Sequence, residues 1–205
     1  MNYLEFLKIV EPFTVFSLVD IRQADPAFHR RRLNEWQDKG YIKKVIKGYY
    51  ISSDTILDEK VLFEIANRIY APSYVSFEMA LAYYGLIPES VYGVTSASTR
   101  KTSRFKTSIG TFIYRAVRPR LYFGFELVKN KEKLFKIASP EKALLDLFYI
   151  KTGLSNVASF ETLRVNREVF FKLISRDKIK HYLDAYGQRS LIRRVNDFWS
   201  YTKDA

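Results

Sequence analysis

An Asp25-Pro26 step only a few residues after a helix start at Ser17 sets the local fold of the N-terminal segment. Ser17 suits an N-cap, Asp20 stands at the third helical position, and Phe16 with Ile21 can close a hydrophobic staple across them. That helix must end before Asp25-Pro26, since an Asp N-cap followed by proline at the first helical position is a strong start for the next helix. Two short helices joined so directly are the signature of a helix-turn-helix.

The flanking residues extend the pattern. Asn2 and Glu5 can form a capping box for a first helix that buries Leu4, Leu7 and either Val10 or Phe6, and Glu11-Pro12 stops it. A short extended piece, Phe13 to Phe16, leads to the second helix. On a wheel of about 100° per residue, the third helix places Phe28, Leu33 and Trp36 on one arc and Ala27, Arg30, Arg31, Asn34 and Asp38 on the opposite one. Gly40 suits the position after its last turn. Two β-prone runs then flank Lys47-Gly48, a hairpin in which glycine supplies the positive φ. Three helices and a basic hairpin predict a winged helix over residues 1–55.

This segment carries the candidate binding residues. Arg30 and Arg31 offer the bidentate donors that read guanine, Asn34 offers the amide that reads adenine, and Ala27 is small enough for close approach. Arg32 lies nearer the buried arc, where it snorkels outward or reaches a phosphate. Lys43, Lys44 and Lys47 make the hairpin a cationic wing. Across the whole chain 34 Lys+Arg stand against 22 Asp+Glu, for a net charge of +12, and a phosphate polyanion or an acidic protein surface is the complement.

Residues 56–205 predict a larger α+β domain. A helix carries Leu57, Val61, Leu62, Ile65 and Ile69, and Ser76 can cap a compact helix closed by Gly85. Strands are expected over 91–98, 111–117, 121–128 and 134–138, in an antiparallel sheet. Ser139-Pro140 opens another helix, and the chain is helical from Ser159 on. Helices, strands and helices in that order give α+β. From Val91 to Phe125 there is no acidic residue, yet Arg100, Lys101, Arg104, Lys106, Arg115, Arg118 and Arg120 are all basic. This stretch either grips phosphates or an acidic partner, or forms a solvated loop with charged strand faces.

Enzyme chemistry finds little footing. His29 and His181 are isolated in sequence, the glycines are scattered without a phosphate-loop pattern, and Glu141 and Asp146 stand too far round one helix to work as a pair. Glu141 is expected to favour the helix dipole, and Ser76 and Ser139 to act as caps. No cofactor is expected. Cysteine is absent, which excludes disulfides and thiolate metal sites and fits a cytoplasmic location. No apolar run reaches the roughly 20 residues of a membrane span, and no signal peptide is expected at the N-terminus.

Several blocks outside the first segment have a familiar form. SYVSFEMALAYYGLIPE, VTSASTRK, the IGTFIYR strand and IASPEKALLDLFYI, behind an N-terminal winged helix, resemble the AbiEi-type antitoxin family of type IV toxin-antitoxin and phage abortive-infection systems. The resemblance runs from about the second helix through Ile150 and is weaker in the helical tail. It implies a repressor of its own operon that binds inverted repeats in promoter DNA. It also implies a cognate toxin of the nucleotidyltransferase type, whose effect the antitoxin counteracts. It supplies no catalytic residues. The alternatives are an RNA-binding or ribosome-associated basic module and a stand-alone repressor without a toxin.

Overall fold

The computed structural model describes residues 1–88 and 93–204, and it is α+β. Its first unit runs α1 (Tyr3–Val10), β1 (Phe16–Ser17), α2 (Leu18–Ala24), α3 (Arg31–Asp38), β2 (Ile42–Ile46) and β3 (Tyr49–Ser52). The expected capping boxes close both early helices: Asn2 with Glu5 on α1, and Ser17 with Asp20 on α2. The face of α1 differs from expectation. Phe6 and Val10 are buried while Leu4 is exposed, because Phe6 stacks among Phe16, Phe28 and Trp36 and draws its own side of the helix inward. Gly48, at φ +90°, turns the hairpin between β2 and β3 as its position required.

The three strands form an antiparallel sheet in the order β1-β3-β2 with both faces covered. Phe16, Ile42 and Tyr50 pack with the helices, in a core that also holds Ile21, Leu33 and Trp36. Val15, Val45 and Ile51 belong instead to the core of the rest of the chain. Two polar links join the same halves. The Arg68 guanidinium pairs with Asp20, and Glu64 accepts hydrogen bonds from Thr14 and from Asn130 Nδ2, the latter at 2.6 Å.

The larger part opens with α4 (Glu59–Ile69), capped by Asp58 and buried through Phe63, Ile65, Ala66 and Ile69, with Leu57 left exposed ahead of it. Next come β4 (Ser73–Val75), α5 (Phe77–Tyr83), β5 (Val94–Ser98), β6 (Ser103–Thr107), β7 (Gly110–Ala116), β8 (Phe125–Asn130) and β9 (Lys133–Ala138). They form a six-stranded sheet in the order β6-β7-β5-β4-β9-β8. The expected antiparallel sheet is in fact mixed, because β5 pairs with β7 and β4 with β9 in parallel. The intervening segments carry the chain far enough to re-enter in the same direction. β4 and β6 were not expected, the strand expected over 121–128 begins at Phe125 after a 3₁₀ turn (Pro119–Leu121), and the first positions of the strand expected over 91–98 lie outside the described residues. The helices α6 (Pro140–Ile150), α7 (Val157–Glu161), α8 (Arg167–Leu173), α9 (Arg176–Tyr186) and α10 (Arg189–Asp204) complete the chain.

A polar knot sits at the centre of this core. Lys142 and Asp146, one turn apart on α6, form an ion pair with no exposure on either side chain. Asp146 also accepts from Tyr186 Oη at 2.7 Å, Tyr74 Oη at 2.9 Å and Ser76 Oγ at 2.8 Å. Ser76 therefore stands at the start of α5 without its side chain capping it, a correction to its expected role. Lys142 donates to Tyr186 Oη at 2.8 Å and lies against the rings of Tyr74, Phe123 and Tyr186. Gly124 makes room for it: its φ is +70°, and a Cβ there would stand 3.1 Å from Lys142 Cγ.

Removing one partner of a buried pair strands the other charge, so Asp146→Ala should cost about 3–5 kcal/mol in urea unfolding, with the double change Lys142→Met/Asp146→Leu costing less. The phenols make a second prediction. Burial, reinforced by Asp146, raises the pKa of Tyr74 and Tyr186 well above the ordinary value. Above about pH 10 the unfolded chain loses phenolic protons that the folded chain keeps, so stability should fall as pH rises further. Lys142, whose pKa burial lowers against the pull of Asp146, opposes this, but as one group against two. Urea midpoints between about pH 8 and 11 should therefore decline.

Candidate nucleic-acid interface

The join between α2 and α3 differs from expectation in a way that moves one site residue. Asp25 caps a turn: the Ala27 N–H donates to Asp25 Oδ1 at 3.1 Å and the Phe28 N–H to the Asp25 carbonyl at 3.0 Å. α3 begins only at Arg31, after an otherwise exposed turn that buries Phe28 alone. Ala27 is thus exposed in the turn ahead of the helix and not on its face. Arg30 occupies the cap position, and Arg30, Arg31 and Asn34 all face solvent while Leu33 and Trp36 are buried. Arg31 pairs with Glu35 at 3.5 Å, an exposed contact that water and salt screen and that leaves the guanidinium available. The helix ends in a Schellman arrangement, with the Tyr41 N–H donating to the Trp36 carbonyl at 2.9 Å and the Gly40 N–H to Gln37 at 3.0 Å.

Arg32 is not free. Its guanidinium lies 5.5 Å from the centre of the Trp36 ring and donates to the Met1 carbonyl, holding the N-terminus against α3. Its position near the buried arc was legible, whereas its engagement by the chain terminus was not.

In the hairpin, Lys43, Lys44 and Lys47 are exposed. Adjacent lysines on one strand point to opposite faces, and here both reach solvent because β2 is the outer strand of its sheet. Lys43 Nζ approaches the Ser53 carbonyl at 3.5 Å. The opposite face of the hairpin turns toward the larger core, and this brings β2 beside β6, within 8 Å between Cα atoms. β6 is itself the outer strand of the six-stranded sheet and exposes Arg104 and Lys106. Two cationic strand edges therefore adjoin, and among the described residues no ion pair involves Lys43, Lys44, Lys47, Lys101, Arg104 or Lys106.

The rest of the basic stretch divides. Arg100 stacks over the Tyr70 ring at 4.0 Å and donates to the Ala71 carbonyl at 3.2 Å, so it serves the fold. Lys101 is exposed, although its carbonyl accepts from Tyr70 Oη at 2.8 Å. Arg120 donates to the Tyr186 carbonyl at 3.0 Å, away from this edge. Lys106 was not singled out as a contact; the alternation in Ser-Arg-Phe-Lys-Thr over 103–107 is the signal that finds it, since period two places Arg104 and Lys106 on one face.

The carboxylates considered for chemistry are both committed to structure. Glu141 is buried, accepts from the Ser175 N–H at 3.1 Å and pairs with Lys178 at 3.0 Å, while Asp146 belongs to the polar knot. Glu141 thus holds α9 to α6, beyond any part in the α6 dipole. His29 and His181 are exposed, and the described residues contain no cluster of His, Asp and Glu able to hold a metal ion. Among the described residues no helix is long and apolar enough to cross a membrane. A scan against protein-family models finds no match to this chain, and a search of curated proteins finds none.

The juxtaposition of β2 and β6 predicts a shared electrostatic surface. Lys44→Ala and Arg104→Ala should each weaken binding to a random DNA duplex and lower the slope of log affinity against log salt by about one. An unchanged slope in Arg104→Ala would remove β6 from the surface.

Proposed function

We propose that this chain is a DNA-binding transcriptional repressor whose residues 1–55 form a winged helix, with α3 entering the major groove and the β2–β3 hairpin lying along the backbone. The observation that carries the reading is the exposed face of α3. Arg30, Arg31 and Asn34 stand together at its N-terminal half, which is the part of a recognition helix that meets base edges, and the unpaired lysines of the hairpin lie on the next element of the chain. The division of labour follows from chemistry: guanidinium and amide groups can discriminate bases, while the ammonium groups of Lys43, Lys44 and Lys47 supply charge for phosphates.

The resemblance to AbiEi-type antitoxins supports a narrower form of the proposal, in which the chain represses its own operon at inverted repeats and counteracts a nucleotidyltransferase-type toxin. On that reading residues 56–205 carry the antitoxic activity, and their basic edge strand extends the DNA contact.

The test compares the duplex upstream of the chain's own gene with random duplex and with single-stranded RNA of matched length. Asn34→Ala and Arg30→Ala should each cost about 1–3 kcal/mol on the promoter duplex and little on random DNA. Equal losses on both duplexes would show that α3 does not read bases, and preference for the RNA would overturn the repressor reading. Growth rescue beside the neighbouring toxin gene, from a promoter the protein does not control, tests the antitoxin role separately.

A further inference from the structure

A cavity away from α3 and the hairpin has a chemistry that the repressor reading does not use. Its volume is about 470 Å³, within the range of small-molecule sites. The floor is one face of the six-stranded sheet. Thr95 of β5 and Ile113 of β7 are register partners, and Arg115 follows two positions along β7 on the same side. Glu78 from the first turn of α5 and Lys151 from the end of α6 form one wall, and the segment through Arg164 forms the other.

The wall carrying Glu78 is held in place. Thr95 Oγ1 accepts from the Met79 N–H at 3.2 Å and donates to the Ser76 carbonyl at 2.7 Å, which pins the start of α5 to β5. Lys151 Nζ lies 2.6 Å from Glu78 Oε1, and the other oxygen, Oε2, is shielded from solvent with no hydrogen-bond partner.

The opposing groups are cationic and unspent. Among the described residues neither the Arg115 nor the Arg164 side chain has a hydrogen bond or ion pair, yet both line the same cavity. Arg164 has φ +50° in the turn that closes α7, where its N–H donates to the Glu161 carbonyl at 3.0 Å. Two arginines lining a common space, Arg115 half-buried and Arg164 exposed, offer guanidinium donors complementary to a phosphate. Ile87, Ile113 and Leu154 supply apolar wall, which a bare inorganic anion would leave unused.

We infer that this cavity is a site for a nucleoside mono- or diphosphate, with the phosphate between Arg115 and Arg164 and the base against the apolar wall. The site is independent of DNA binding by α3, so either reading can fail without the other.

The test is calorimetric titration of the full chain with AMP, GMP, CMP and UMP, with ribose 5-phosphate and inorganic phosphate as probes lacking the base. At least one nucleotide should bind tenfold or more tightly than ribose 5-phosphate. Arg115→Leu and Arg164→Gly should each weaken it by about tenfold or more, the loss of a charge-assisted hydrogen bond. Arg164→Gly serves as the control for folding. Glycine accepts the positive φ, so its thermal midpoint should match the unchanged chain while binding falls. The proposal is overturned by the absence of binding for every nucleotide at millimolar concentration, by ribose 5-phosphate or inorganic phosphate binding as tightly as the nucleotides, or by unchanged affinity in Arg164→Gly. Binding of single-stranded RNA without binding of any mononucleotide would overturn it as well.

Discussion

The buried ion pair of Lys142 with Asp146 is the contact around which the larger core is arranged. A carboxylate taken fully out of water loses several kcal/mol of hydration unless its lone pairs are met from within. Asp146 meets that demand with donors from three directions: Tyr74 and Ser76 from the β4–α5 junction, Lys142 from its own helix, and Tyr186 from α9. Each donor from outside α6 therefore fixes an element against it. The apolar contacts around it, such as Phe148 on Phe198, supply area but tolerate sliding, whereas the hydrogen bonds admit little displacement. β4, which sits in mid-sheet, carries Tyr74 and leads directly into Ser76, so both reach Asp146 on α6.

A second constraint ties the N-terminal unit to this body. A three-stranded sheet normally covers one apolar face; this one covers two, since Val45 and Ile51 enter the larger core while Ile42 and Tyr50 stay with the helices. The pairs Asp20–Arg68 and Thr14–Glu64 flank that contact. The consequence is positional: β2 is held against β6, so two strand edges that each carry exposed cations lie side by side.

Local chemistry was legible where it is self-contained. The boxes at Asn2 and Ser17, the glycine of the hairpin, the cap at Ser139 and the buried arc of Phe28, Leu33 and Trp36 involve residues within a few positions of one another. The start of α3 was misjudged because Asp25 has two local options, an N-cap and a turn, and burial of Phe28 decided for the turn. β4 is three residues long, too short for periodicity to register, and its neighbour sequence reads equally well as the approach to a helix. Partners distant in sequence were beyond reach altogether. Nothing local shows that Arg32 meets Met1, that Arg100 covers Tyr70, or that Ser76 serves Asp146. Basic residues could thus be found by inspection, but which of them are already spent on the fold could not.

The spacing of these contacts along the chain also orders its folding during synthesis. Every residue of the smaller core, from Phe6 to Tyr50, leaves the ribosome before α4 begins, so that core can close early. The polar knot cannot. Tyr74 and Ser76 emerge first, Lys142 and Asp146 much later, and Tyr186 only within the final stretch. Until α9 emerges, the nascent larger core holds a carboxylate that lacks one of its donors. The N-terminal unit meanwhile exposes Val45 and Ile51 on the uncovered face of its sheet. The order of synthesis thus places Val45 and Ile51 of the N-terminal unit ahead of the late helices that complete the core against which they pack.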